Sequence, residues 1–111
     1  MIHIKYCESF FCKMVGLMFF KELKENQGII LTEKKESRIS TSIHMMFMNF
    51  DLAVFWLDKN RVIVDKVLAK RWMPAYFPKK PAQYVIELHA SKLSAFSVGD
   101  MITIDSGDEP F

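Results

Sequence analysis

The sequence predicts a mainly β protein: a small closed or nearly closed antiparallel β-barrel or sandwich of about six strands with one or two short helices. Three observations carry this. From Gly28 onward, β-branched and apolar residues come in short runs separated by charged or turn-forming residues. The run 52–58 is apolar on both alternating sets, with Leu52, Val54 and Trp56 on one face and Ala53, Phe55 and Leu57 on the other. A strand of that kind must be covered on both faces, which makes it an interior strand. Finally, Asp58-Lys59-Asn60-Arg61 lies between two apolar runs, and Asn60 tolerates positive φ, so a tight hairpin is expected there. Closing the sheet would remove unpaired edges.

The 111 residues, 50% hydrophobic and 14% aromatic, suffice for one core and rule out a disordered chain. A single domain over 1–105 with a flexible tail, 106–111, is expected. Fifteen basic and 13 acidic residues give a net charge of +2, too balanced to indicate a nucleic-acid or anionic-membrane partner. No apolar run approaches the ~18 residues of a membrane-spanning helix. Glu8, Lys13 and Lys21 interrupt any signal-like layout, so a cytoplasmic location is expected. Cys7 and Cys12 form no CxxC pair and, if the segment between them is helical, fall on different faces, so two partly buried free thiols are expected rather than a disulfide.

Along the chain, Met1 to Lys5 is β-prone. Ser9 is placed to N-cap a short helix carrying Phe10, Phe11, Met14, Leu17 and Met18, which Gly16 ends or bends. Strands are predicted at Gly28 to Glu33, Ile43 to Met48, Leu52 to Asp58, Val62 to Ala69, Gln83 to His89 and Met101 to Asp105. Lys34 to Arg38 reads as a charged turn, 70–81 as a proline-punctuated loop, and Ser91 to Phe96 as a short helix or turn.

Several motifs together resemble the domain-of-unknown-function family DUF192. They are Met14-Val15-Gly16-Leu17-Met18-Phe19, the glycine-led Gly28-Ile29-Ile30-Leu31, His44-Met45-Met46-Phe47-Met48 running into Leu52-Ala53-Val54-Phe55-Trp56-Leu57-Asp58, then Val85-Ile86-Glu87-Leu88 and Gly99-Asp100. The resemblance spans 9–105 and rests on the order and spacing of loose motifs. It implies a compact β-barrel or sandwich-like domain with short helices, in a bacterial and archaeal family with no established activity. Two positions depart from the pattern: Val15 stands where the family has arginine, and Ala53 where it has aspartate. An obligatory aspartate-based chemistry at that second position is therefore not expected.

The candidate residues fall into four groups. Glu87 and His89 share a strand face, as a general acid–base pair would require, with His44 as the other histidine available. The plainer reading is a structural carboxylate or a solvated face. His44, Met46 and Met48 would also share a face if 43–48 is a strand, giving an imidazole and two thioethers suited to Cu(I), though methionines equally fill core space. A cysteine nucleophile with His44 or His89 as base has no spacing to support it. In the 70–81 loop, Lys70, Arg71, Lys79 and Lys80 frame Trp72, Tyr76 and Phe77, stiffened by Pro74, Pro78 and Pro81. These residues either fold over an end of the sheet as a lid or present a binding surface.

No Walker, GxSxG or HExxH motif occurs, and no cofactor or metal is expected. The sequence reading is a non-catalytic domain binding a small molecule or protein through Trp72, Tyr76, Phe77 and Glu87, with nucleic acid disfavoured. The alternative is a small hydrolase- or lyase-type enzyme using Glu87 with a histidine.

Overall fold

Every position of Leu52–Leu57 is buried, and the remaining elements are disposed about that strand. The computed structural model describes residues 2–8, 12, 16–18 and 20–103. The strands are β1 (His3–Cys7), β2 (Gln27–Ser37), β3 (Leu52–Leu57), β4 (Ile63–Ala69) and β5 (Ala82–His89), followed by a 3-10 helix, Ala90–Ala95. They form one sheet in the order β1-β2-β5-β3-β4. β1 runs parallel to β2, and every other pairing is antiparallel.

The sheet is thus mixed and open, with five strands in place of about six closed antiparallel ones. Two expected strands are missing from it among the described residues. Residues 43–48 make only the isolated Ile43–Tyr76 bridge, because Phe47 adopts φ 62° and the Met48 amide turns back onto the Met45 carbonyl. Of the predicted strand 101–105, Met101 makes only a bridge to Val62, and 104–105 lie outside the described residues. The interior position of β3 agrees with the sequence, though β5 is the middle strand of the five.

The two faces of β3 enter two separate cores. Leu52, Val54 and Trp56 pack with Ile29, Leu31, Met45, Met48 and Val85. Ala53, Phe55 and Leu57 pack with Ile30, Ile63, Ile86 and Leu88. Residues 41–50 cover the first face, where the Trp56 indole donates to the Thr41 carbonyl at 2.7 Å. Leu93, Phe96 and Ile102 cover the second, with the Phe55 and Phe96 rings edge-to-face at 5.6 Å. Lys66 reaches across from β4 to donate to the carbonyls of Leu93 and Phe96 at 2.9 and 3.0 Å. That pairs two carbonyls a short helix leaves open.

Smaller features also differ from expectation. β2 continues to Ser37 through the predicted charged turn, because Lys34 to Glu36 face solvent and only the backbone must follow the strand. At its end Glu36 accepts from the Lys59 amide at 2.9 Å. The hairpin after β3 exists, but the left-handed residue is Arg61 (φ 65°), not Asn60. Asp58 sets this: its carbonyl accepts from the Arg61 amide, and its carboxylate accepts from the amides of Asn60 and Val62.

Cys7 and Cys12 form a disulfide, Cα atoms 5.5 Å apart, where free thiols were expected. That expectation placed both on one helix, whereas Cys7 ends β1. Gly16 is left-handed (φ 51°), and its amide donates to the Cys12 carbonyl, as at a helix stop. The Ser9 cap, Phe10, Phe11, Met14 and the tail 106–111 lie outside the described residues.

The Trp56 contact generates a prediction. Trp56→Phe keeps an aromatic ring but leaves the Thr41 carbonyl without its indole donor, and should destabilise the domain by about 2 to 3 kcal/mol in urea unfolding. A change under about 0.5 kcal/mol would show that the indole bond carries no weight.

Candidate functional site

β5 is flanked by β2 and β3, so its side chains emerge among those of both neighbours. Glu87 lies opposite Ile29 on one side and Val54 on the other. Alternation sends it into the same face as Val85, within the first core. It is 7% exposed.

No described residue donates a hydrogen bond or an ion pair to the Glu87 carboxyl, and burial alone pushes its pKa from 4.5 up to about 7. Among the described residues no side-chain polar atom is both fully enclosed and unpaired. The carboxyl therefore reaches open space, and that space is a cavity of about 50 Å³. Leu17, Met18, Ile43 and Met48 form apolar walls, and Ser42 and His44 supply the other polar side chains. The volume holds a few waters or one functional group, far below the ~300 Å³ at which drug-sized ligand pockets begin.

The structure thus brings Glu87 together with His44 and not with His89. His44 is half-buried, and its Nδ1 accepts from the Met46 amide at 3.2 Å. A neutral ring in that bond carries its proton on Nε2. His89 caps the 3-10 helix instead, its Nδ1 accepting from the Ser91 amide at 3.2 Å and lying 2.8 Å from the Ser91 hydroxyl. It does not line the cavity.

The strand that would align His44, Met46 and Met48 is absent. Met48 is in the core and lines the cavity with His44, while Met46 does not. Met18 is the second thioether there. Among the described residues no three His, Cys, Asp or Glu side chains cluster as metal ligands.

The 70–81 loop divides. Tyr76 is half-buried against the first core, and its hydroxyl accepts from the Lys70 amide at 2.9 Å. Trp72 and Phe77 are 52% and 53% exposed. Trp72 packs edge-to-face on Phe47, ring centroids 5.2 Å apart, and both adopt left-handed backbone, at φ 68° and 62°. Backbone bonds hold the two segments together: the Trp72 amide donates to the Met45 carbonyl at 2.7 Å, and the Met45 amide to the Met73 carbonyl at 2.9 Å.

Asp51 anchors the loop start, accepting from the Arg71 amide and Nε at 2.9 and 3.2 Å, with Lys70 Nζ at 3.6 Å. The Arg71 amide bond is the largest influence holding the Asp51 carboxyl below its usual range. Phe47, Ser42 and Asp51 did not emerge from the sequence, since each acts through a partner remote in the chain. The methionine-aromatic 44–48 segment was the available signal for Phe47.

Comparison with known proteins places these residues in a family. The sequence model of the DUF192 family, described as uncharacterised ACR, matches residues 1–104. A UPF0127 protein of Thermococcus kodakarensis is 38% identical over 102 residues, 90% of this chain and 63% of that protein. One of Pyrococcus furiosus is 33% identical over 97 residues, 87% of this chain and 80% of its own length. The chain thus spans less than two-thirds of the T. kodakarensis relative.

Two solved structures share the fold. A protein of unknown function from Novosphingobium aromaticivorans has TM-score 0.78 and 18% identity, covering 90% of this chain and 73% of its own. A Sinorhizobium meliloti protein proposed as a transcription regulator has TM-score 0.81 and 16% identity, covering 90% and 79%. No described helix is long and apolar enough to cross a membrane.

Two predictions come from this geometry. Because the folded pKa of Glu87 is raised, the native protein holds its proton more tightly than the unfolded chain. Stability is complete below pH about 4.5, falls as pH rises toward 7, and is flat above. Glu87→Gln removes that dependence, so its stability relative to the parent should rise by roughly 2 to 3 kcal/mol between pH 5 and pH 8. Parallel urea-unfolding results at the two pH values would contradict the burial of the carboxyl. In the loop, Trp72→Ala and Phe77→Ala should each cost under about 1 kcal/mol, whereas Tyr76→Ala should cost about 2 to 4. Thermal melts showing the reverse order would make Trp72 and Phe77 the core rings.

Proposed function

We propose, from the premise that the chain belongs to the DUF192 family, that it is a non-catalytic ligand-binding β domain whose recognition element is the Glu87 carboxyl. The observation that carries this is a buried carboxyl with no partner among the described residues, opening on a cavity. A carboxyl in such surroundings is costly unless something hydrogen-bonds to it, and a ligand group is the partner that would. The cavity's size limits that group to a few heavy atoms, with the rest of the ligand outside the mouth. Trp72 and Phe77, with Phe47 beside Trp72, form a second surface in this reading, suited to a protein partner. Tyr76 serves it as support. Asp51 offsets Lys70 and Arg71, which weakens the case for nucleic acid there.

A second reading, a hydrolase- or lyase-type enzyme, has one observation in its favour: a carboxyl poised near neutral pH beside His44 in one cavity. It would give a pH–rate inflection near 7 that Glu87→Gln abolishes. Against it, the cavity holds one functional group and lacks room for a bond together with both its substituents.

The test of the binding reading is a fragment series of up to six heavy atoms, cationic, neutral and anionic, titrated into isotope-labelled protein. At least one class should shift Ile43, Leu52 and Glu87 resonances saturably, and Glu87→Leu, which removes the carboxyl, should abolish the response. If no class produces a saturable shift at those residues, the reading is wrong.

A further inference from the structure

Among the described residues, two of the three polar side chains around the cavity, Ser42 and Glu87, present hydrogen-bond acceptors. The Ser42 hydroxyl donates its hydrogen to the Ile39 carbonyl at 2.7 Å, leaving its oxygen lone pairs to accept. The ionised Glu87 carboxylate is an acceptor with no described donor. His44 Nδ1 is engaged by the Met46 amide. Among the described residues no lysine or arginine lines the space, and its remaining walls are hydrocarbon and thioether, from Leu17, Met18, Met48 and Leu52.

We propose, resting on the binding reading given above, that this cavity takes the head group of a primary alkylammonium ion. An ammonium is compact, carries three N–H donors and one positive charge, and sits on a slender apolar stem. One donor would meet Glu87 and a second the Ser42 oxygen, while the first methylenes lie along the leucine and methionine walls. One ammonium against one carboxylate leaves the buried site neutral, the condition under which two charges can be held away from water. Burial has already brought the carboxyl to a pKa of about 7, so an adjacent cation need supply little to keep it ionised near neutral pH.

Other ligand chemistries fit less well. A carboxylate would face Glu87 as a second anion unless one of them took a proton. A quaternary ammonium has no N–H to donate to either acceptor. A hard divalent metal ion would find one carboxylate and one imidazole, with no cluster of three His, Cys, Asp or Glu ligands among the described residues. The same head group could belong to a free alkylamine or to a lysine side chain of a protein, and the cavity chemistry is common to both.

The experiment compares n-butylamine, n-butanol and butyrate on the labelled full chain at pH 8, following the Glu87 carboxyl carbon and the Leu31 and Leu52 methyls. Butylamine should bind saturably and move the Glu87 carboxyl signal, n-butanol should bind at least tenfold more weakly, and butyrate should have no effect. Glu87→Gln should weaken butylamine at least tenfold, its fold checked by its own spectrum. The parent-protein series decides the matter should that variant not fold. Butanol or butyrate binding at Glu87 as tightly as butylamine overturns the ammonium assignment and leaves the binding reading standing. Silence from all three, with no response to any other fragment, overturns both. In a further arm, Nα-acetyl-lysine methylamide binding within threefold of butylamine supports the ammonium class with a protein lysine as source. Its failure to bind while butylamine binds supports the same class with a free amine as source.

Discussion

Both faces of Leu52–Leu57 must be shielded from water, and most of the architecture answers that requirement. The five strands form one sheet, and among the described residues there is no second sheet to lay over each face. Irregular segments do the covering, and irregular backbone brings polar groups that need partners. The structure supplies those partners from side chains and short bridges. The Trp56 indole takes the Thr41 carbonyl, Lys66 takes those of Leu93 and Phe96, and Asn49 donates to the Phe20 carbonyl. The Ile43–Tyr76 bridge ties two covering segments to each other. Covering layers built this way can pack hydrocarbon against the sheet without leaving amides and carbonyls stranded.

Glu87 is where that solution is incomplete. Its register opposite Ile29 and Val54 commits it to the first core, and nothing described there pairs with it. An aliphatic side chain at this position would remove the desolvation penalty outright. The penalty is tolerable because the two covering segments, 16–18 and 42–48, meet imperfectly above it and leave a cavity. Cavity and carboxyl therefore belong together: a fully packed cover would leave the carboxyl sealed and unpaired, and an open cleft would solvate it and return its pKa to the ordinary range.

Much of the fold was legible in the sequence, because β3 and its hairpin are encoded locally. Two-sided apolar alternation in 52–57 admits one environment, and Asp58 forms the turn through its own neighbours. The elements missed depend on distant partners. His44 to Met48 alternates well enough to pass for a strand, yet its route is set by backbone bonds to Met73 and Tyr76 and by the turn at Phe47. The openness of the sheet was hidden for a related reason. Closure would have given β3 one enclosed face only; two-sided apolarity pointed to a central strand, while closure was expected from the strand count and the need to remove exposed edges. At the site, Glu87 was visible as a candidate because a carboxylate in an apolar strand is conspicuous. Its companion was left open between His89 and His44: His89 shares the strand parity, but the backbone turns at that residue and its ring goes to the helix start, while His44 arrives from a loop that the spacing could not place.

The cavity and the exposed aromatic pair are not independent features. Ser42, His44 and Met48 border the cavity, and Phe47 lies between the last two. The left-handed backbone at Phe47 and Trp72 costs on the order of 1 to 2 kcal/mol at each residue, which persists only where the surroundings over-determine it. Here the constraint is the pair of backbone bonds joining Met45 to Trp72 and Met73, with Asp51 fixing Arg71 next to them. A group entering the cavity against His44 and Met48 would press on the two ends of the turn that displays Phe47. On the opposite wall, Leu17 and Met18 follow Gly16, whose amide is bonded to Cys12, itself tethered to β1 by the disulfide. One wall is thus anchored covalently to the sheet, and the other carries the strained aromatic turn, held in place by its backbone bonds to Trp72 and Met73.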